Sequence, residues 1–118
     1  MLTIRNEQMT VIATAAWRMF EDRLVRRFET ELPRRFGELG EPEVRKITGQ
    51  SIESGRRYAF SSEADIGELA RLAVEYAPDL HDAPGWGWAR ELLGQRGLSS
   101  SNRIAILAYR MRTPQAEI

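Results

Sequence analysis

Asp79, His81 and Asp82 fall within four residues of one another, and His81 is the chain's single histidine. An imidazole between two carboxylates can act as a general base oriented by an acid, and the three side chains together can ligate a divalent cation. Both roles require the side chains to converge on one point, which proximity in sequence does not supply. No second histidine and no cysteine complete the usual zinc or iron sets. The opposing reading is a solvated acidic turn in which Asp79 caps its own backbone. The serines at 61, 62, 99, 100 and 101 raise the question of a nucleophile, yet each precedes an apolar helical segment and none lies in a G-x-S-x-G elbow. Helix capping accounts for them. Glu21 and Asp22, adjacent on a helix, diverge and do not flank a substrate as glycosidase carboxylates must. The glycines match neither G-x-x-x-x-G-K-[ST] nor G-x-G-x-x-G, so nothing cradles a phosphate. The chain therefore reads as a non-enzyme, with no catalytic residue, cofactor or metal assigned.

The elements that must position these residues read as helices. In the N-terminal segment Ile12, Ala15, Ala16 and Met19 form one apolar stripe and Trp17, Phe20, Leu24 and Phe28 another, a broad face that needs partners on two sides. Pro33 stops this helix, and Arg34 to Leu39 adds a short turn before Gly40. A second helix opens at Pro42, turns Val44, Ile47, Ser51 and Ile52 inward and ends near Tyr58; Gly49 and Gly55 within it imply close packing against a neighbour. Ser62 followed by Asp65 is a capping signal for a third helix, whose Ile66, Leu69, Ala70, Ala73, Val74 and Tyr76 run to Pro78. Asp79 to Gly87 is a loop that Trp86 or Trp88 plugs into the core. Trp88, Leu92 and Leu93 begin a short helix closed by Gly94 and Gly97, and Ser99 to Asn102 caps a last one carrying Ile104 to Met111. Period-two alternation is nowhere sustained. The expected fold is all-α: residues 1–118 as a single domain of about five helices, with the long N-terminal helix packed against shorter ones.

A chain of 118 residues is the size of one compact domain, and it has no apolar run long enough to span a bilayer. The opening MLTIRNEQM lacks the pattern of a secretory signal, which with the absence of cysteine gives a cytoplasmic expectation. Charges balance at 17 basic and 17 acidic residues, so nucleic acid is not an expected partner. Arginine supplies all the basic residues except Lys46, a bias that a GC-rich genome explains. The distribution is uneven: Arg23, Arg26, Arg27, Arg34 and Arg35 cluster early, while Glu63 to Asp82 holds six acids against Arg71 alone, which predicts two charged poles. Most aromatic residues are assigned to the core. Phe60 and Trp86 are placed at a partner surface with Glu63, Asp65, Asp79 and Asp82, a set that would complement an arginine-bearing protein.

These same segments resemble a family of small, all-helical bacterial proteins. The resemblance rests on F-E-x-R-L at Phe20 to Leu24, the helix end from Gly49 to Tyr58, Ser62-Glu63-Ala64-Asp65-Ile66, Ala77-Pro78-Asp79-Leu80-His81 and Gly87-Trp88-Ala89, and it covers nearly the whole chain. Departures from the pattern are Ala59-Phe60 for Gly-Ile, Ala77 for Gly, His81 for Asp and Gly87 for Pro. Members are encoded beside PAAR-repeat spike proteins and toxic effectors of the type VI secretion system. The resemblance implies a cytoplasmic adaptor or co-chaperone that binds an effector, its chaperone or a PAAR spike protein before export. An immunity protein that neutralises a cognate toxin is the alternative, and a small enzyme working through Asp79, His81 and Asp82 is the third.

Overall fold

The structure, a computed structural model, describes the backbone of residues 6–60 and 62–113, and side chains within that range from residue 15 onward. Described residues form six α-helices and no strand: α1 (Asn6–Glu31), α2 (Pro33–Leu39), α3 (Glu41–Arg57), α4 (Glu63–Tyr76), α5 (Gly87–Leu93) and α6 (Ser100–Arg112), with a 3-10 turn at Pro84–Trp86 before α5. The all-helical class and single globule follow the sequence expectation. The additional helix is α2, seven residues long, where the sequence reading has only a turn. Pro33 sits in its first turn, where a missing N–H costs nothing, and so starts a helix as well as ending one.

Local signals explain the boundaries. Ser62 Oγ accepts from the Asp65 N–H at 3.1 Å at the start of α4, and Ser99 Oγ accepts from the Asn102 N–H at 3.1 Å at the start of α6. Ser61 lies outside the described residues. Gly40 joins α2 to α3 with φ 85, a left-handed conformation that suits a residue without Cβ.

The core is built from three helices. α1 runs antiparallel to α3, with Arg26 paired to Glu41 at one end and Arg56 stacked over Trp17 at the other. α3 turns back into α4 as a hairpin, and Gly55 lets the two backbones approach: a Cβ there would lie 2.6 Å from Ile66 Cγ1. Phe28, Val44, Ile47, Leu69 and Leu72 are fully or almost fully buried between them. α5 and α6 pack as an antiparallel pair, and α6 lies across the first turns of α4 through Asp65–Ser100 and Glu68–Arg112.

Of the two apolar stripes of α1, only one is covered among the described residues. Phe20, Leu24 and Phe28 are buried and Trp17 packs beside them, whereas Ala15, Ala16 and Met19 face outward, Met19 being 61% exposed. The Ile12 side chain lies outside the described residues. Tyr76, Ile106 and Tyr109, aligned with apolar stripes in the sequence, are likewise exposed. The two charged poles do not form. Arg26, Arg27, Arg34 and Arg35 pair with Glu29, Glu31, Glu38 and Glu41 nearby, and the acids of α4 meet Arg23, Arg71 and Arg112.

Candidate functional site

The loop after α4 is tied down before it reaches His81. Leu80 is fully buried and plugs the loop, and Trp86 and Trp88, to which the sequence reading gives that place, pack half-buried against the core beside it. Asp79 O accepts from the N–H groups of Asp82 and Ala83 at 3.1 and 2.9 Å, and Arg90 Nη1 donates to Leu80 O and Ala83 O at 2.8 and 2.9 Å. The resulting knot presses His81 against α3.

There the imidazole meets two hydroxyls one helical turn apart. Ser51 Oγ lies 2.9 Å from Nε2 and Ser54 Oγ 2.9 Å from Nδ1. Ser51 also donates to Ile47 O at 2.9 Å. With its one hydrogen committed there, the network assigns the ring hydrogen to Nε2, which donates to Ser51, and leaves Nδ1 to accept from Ser54. A neutral histidine is thereby fully satisfied. Burial pushes its pKa down to about 4, and Arg90 and Arg57 act in the same direction against the opposing pull of Asp82. Ser51 is fully buried with its proton on a backbone carbonyl, and Ser54, which donates to the ring, is itself buried, so neither hydroxyl is presented at the surface.

Neither aspartate turns toward that ring's nitrogens. Asp79 Oδ1 accepts from the Trp86 indole N–H at 3.0 Å, and Asp82 Oδ2 accepts from Gln50 Nε2 at 3.0 Å. Among the described residues no group of His, Asp and Glu is placed to hold a metal ion. The other candidates are also engaged within the fold. Asp65 accepts from the hydroxyls of Ser100 and Ser101, Glu63 faces Arg23 at 3.5 Å, Phe60 lies half-buried under Arg103, and Trp86 leans on Trp88 with centroids 5.8 Å apart. Each of the six thus holds a partner within the fold, while Glu63, Asp79 and Asp82 remain exposed to solvent.

No family model, curated protein or solved structure matches the chain.

Several arginines matter in a way that sequence reasoning missed. Arg103 is buried, its Nη1 donating to Leu93 O at 2.6 Å and Tyr58 O at 3.0 Å, so one guanidinium gathers the C-terminal ends of α5 and α3. Arg96 reaches Arg57 O at the same end of α3, and Arg35 reaches Val74 O in the last turn of α4. A helix C-terminus exposes unpaired carbonyls and the negative end of its dipole, and a cation with several donors satisfies both. The available signal was arginine in place of lysine, since a planar guanidinium can bond carbonyls through one edge while its face stacks on a ring, as Arg103 does over Phe60.

Two open clefts accompany these elements. One of about 470 Å³ lies at the elbow of α1 and α2, where Arg34 and Arg35 face Glu38; the other, about 160 Å³, lies between Trp17 and Gly49. In the first, Glu31 and Glu75 also have Arg71 as partner, so the cleft's charges balance one another.

Proposed function

We propose that this chain is a non-enzymatic accessory protein of bacterial type VI secretion, a cytoplasmic adaptor or co-chaperone that binds an effector, its chaperone or a PAAR spike protein before export. One observation carries the binding part of this reading: the side chains able to do chemistry are consumed by the fold, while Met19, Ile106 and Tyr109 stand exposed on helix faces. Exposed methionine and tyrosine beside arginine are typical anchors of a protein interface.

The resemblance supports the setting, and the segments that carry it are used locally in the fold. Ser62 to Ile66 forms the cap of α4, Gly49 to Tyr58 the close contact and end of α3, and Ala77 to His81 the loop knotted against α3.

Co-expression with genes neighbouring this one in the host tests the reading. A stoichiometric complex, with export lost and the producer healthy when the protein is deleted, is the expected result. Death of the deleted strain by its own toxin makes the protein an immunity factor. A phenotype abolished by His81→Ala with folding intact returns the loop to consideration as an enzyme site.

A further inference from the structure

The chemistry of the partner follows from where arginines lack acids. Every arginine from Arg23 to Arg45, with Arg56 and Arg71, stands within ion-pair distance of a carboxylate. Between Pro84 and Thr113 the chain carries Arg90, Arg96, Arg103, Arg110 and Arg112 against the single acid Glu91, and of these only Arg112 has a carboxylate within reach among the described residues, Glu68 at 3.6 Å. Arg90 and Arg103 are spent on carbonyls inside the fold. Arg110 is exposed and lies over the Trp88 ring with its Cζ 5.2 Å from the centroid, which fixes the guanidinium at the surface. Arg96 and Arg57 are exposed together at the other end of α6, joined by one bond from Arg96 to the Arg57 carbonyl.

Between these cations runs an apolar stripe. Ile106 and Tyr109 are three residues apart, hence on one face of α6, and are 38% and 69% exposed. We propose that this outward face of α6, with Ile106, Tyr109 and Arg110 at its centre and Arg96 and Arg57 at its N-terminal end, docks an acidic protein segment that carries apolar anchors. The inference rests on the partner-binding reading and reverses the sign expected from sequence, because the acids counted there are already bonded within the fold. Guanidinium groups held at the rim of an apolar stripe select carboxylates by bidentate hydrogen bonds and steer their approach. A nucleic acid fits less well, since the centre of the surface is aliphatic and phenolic and its cations are few.

Selection of phage-displayed dodecapeptides on the immobilised full chain, followed by fluorescence anisotropy with a labelled selected peptide, tests the surface. Enriched peptides are expected to combine Asp or Glu with apolar residues at helical spacing. Their affinity is expected to fall roughly ten-fold or more in Tyr109→Ala and in Arg110→Glu, both of which leave the melting temperature unchanged, and to weaken with added salt. Absence of enrichment, neutral or basic peptides, equal binding by the variants, or displacement by a single-stranded oligonucleotide overturns the proposal. A host complex that survives both substitutions removes this surface and leaves the adaptor standing; failure to find any host complex removes the adaptor, whatever the peptides do.

Discussion

At the scale of the residue, His81 has a cost that depends on pH. Its pKa is near 4 in the folded chain, against 6.5 for an ordinary imidazole. Between those values the unfolded chain binds a proton that the folded chain does not, so stability is fully present above pH 6.5, declines as pH falls toward 4, and changes no further from this group below that. The loss should reach about 2–3 kcal/mol across the window. Carboxylates titrate in part of the same range, so the informative quantity is the difference from His81→Gln, whose amide can serve both serines without titrating. Urea denaturation from pH 4 to 7.5 should show that difference shrinking as the wild type loses stability. Arg103 makes a second case. Its removal strands two helix-end carbonyls in a buried site, and Arg103→Ala should cost about 3 kcal/mol. Arg103→Lys should recover only part of that, because an ammonium cannot also donate to Ser99 O as Nε does and lie flat over Phe60. A genomic preference for arginine explains why the residue is available, and the added contacts with Ser99 O and the Phe60 ring explain why lysine would serve less well at this position.

At the scale of the element, the end of α3 and its contact with α4 each depend on a single methyl group. The Phe60 N–H bonds Gly55 O at 2.8 Å and the Ala59 N–H bonds Arg56 O at 3.2 Å, the crossed pair of a Schellman cap, which places Ala59 in the left-handed region at φ 59. Alanine is strained there, and Ala59→Gly should stabilise the protein by about 1 kcal/mol in thermal or urea melts. At Gly55 the prediction has the opposite sign: Gly55→Ala pushes a Cβ against Ile66 and should cost about 2 kcal/mol. In an Ile66→Ala background that penalty should vanish, and a double-mutant cycle measures the coupling. Helix starts at Ser62 and Ser99 and breaks at Pro33 and Pro78 were legible in the sequence because caps and breakers act within one turn. The face of a helix that is finally covered is not encoded so locally. Ala15 to Met19 and Ile106 to Tyr109 carry the same spacing as buried stripes, and only the count and placement of neighbours leave them bare.

At the scale of the whole molecule, the residues that sequence places at a partner surface also hold partners distant in the chain. Asp82 is bonded to Gln50 and Asp65 to Ser100, separations of 32 and 35 residues that no local pattern reports. The second of these joints divides the fold into two parts of different standing. α1, α3 and α4 share the deepest packing, while α6 is attached through α4 and α5. Asp65 occupies the first turn of α4 and reaches the first residues of α6, so one carboxylate lies at the positive ends of two helix dipoles and accepts two serine hydroxyls. Cutting this tie should loosen the α5 and α6 pair before it affects the core. In Asp65→Ala, amide hydrogen exchange is expected to accelerate across residues 87–112 by roughly ten-fold, corresponding to about 1.4 kcal/mol of lost local stability, with the interiors of α3 and α4 protected as before. Uniform acceleration through all helices would mean that the molecule opens as one unit, and that the acidic partner proposed for α6 would bind a face rigidly continuous with the core.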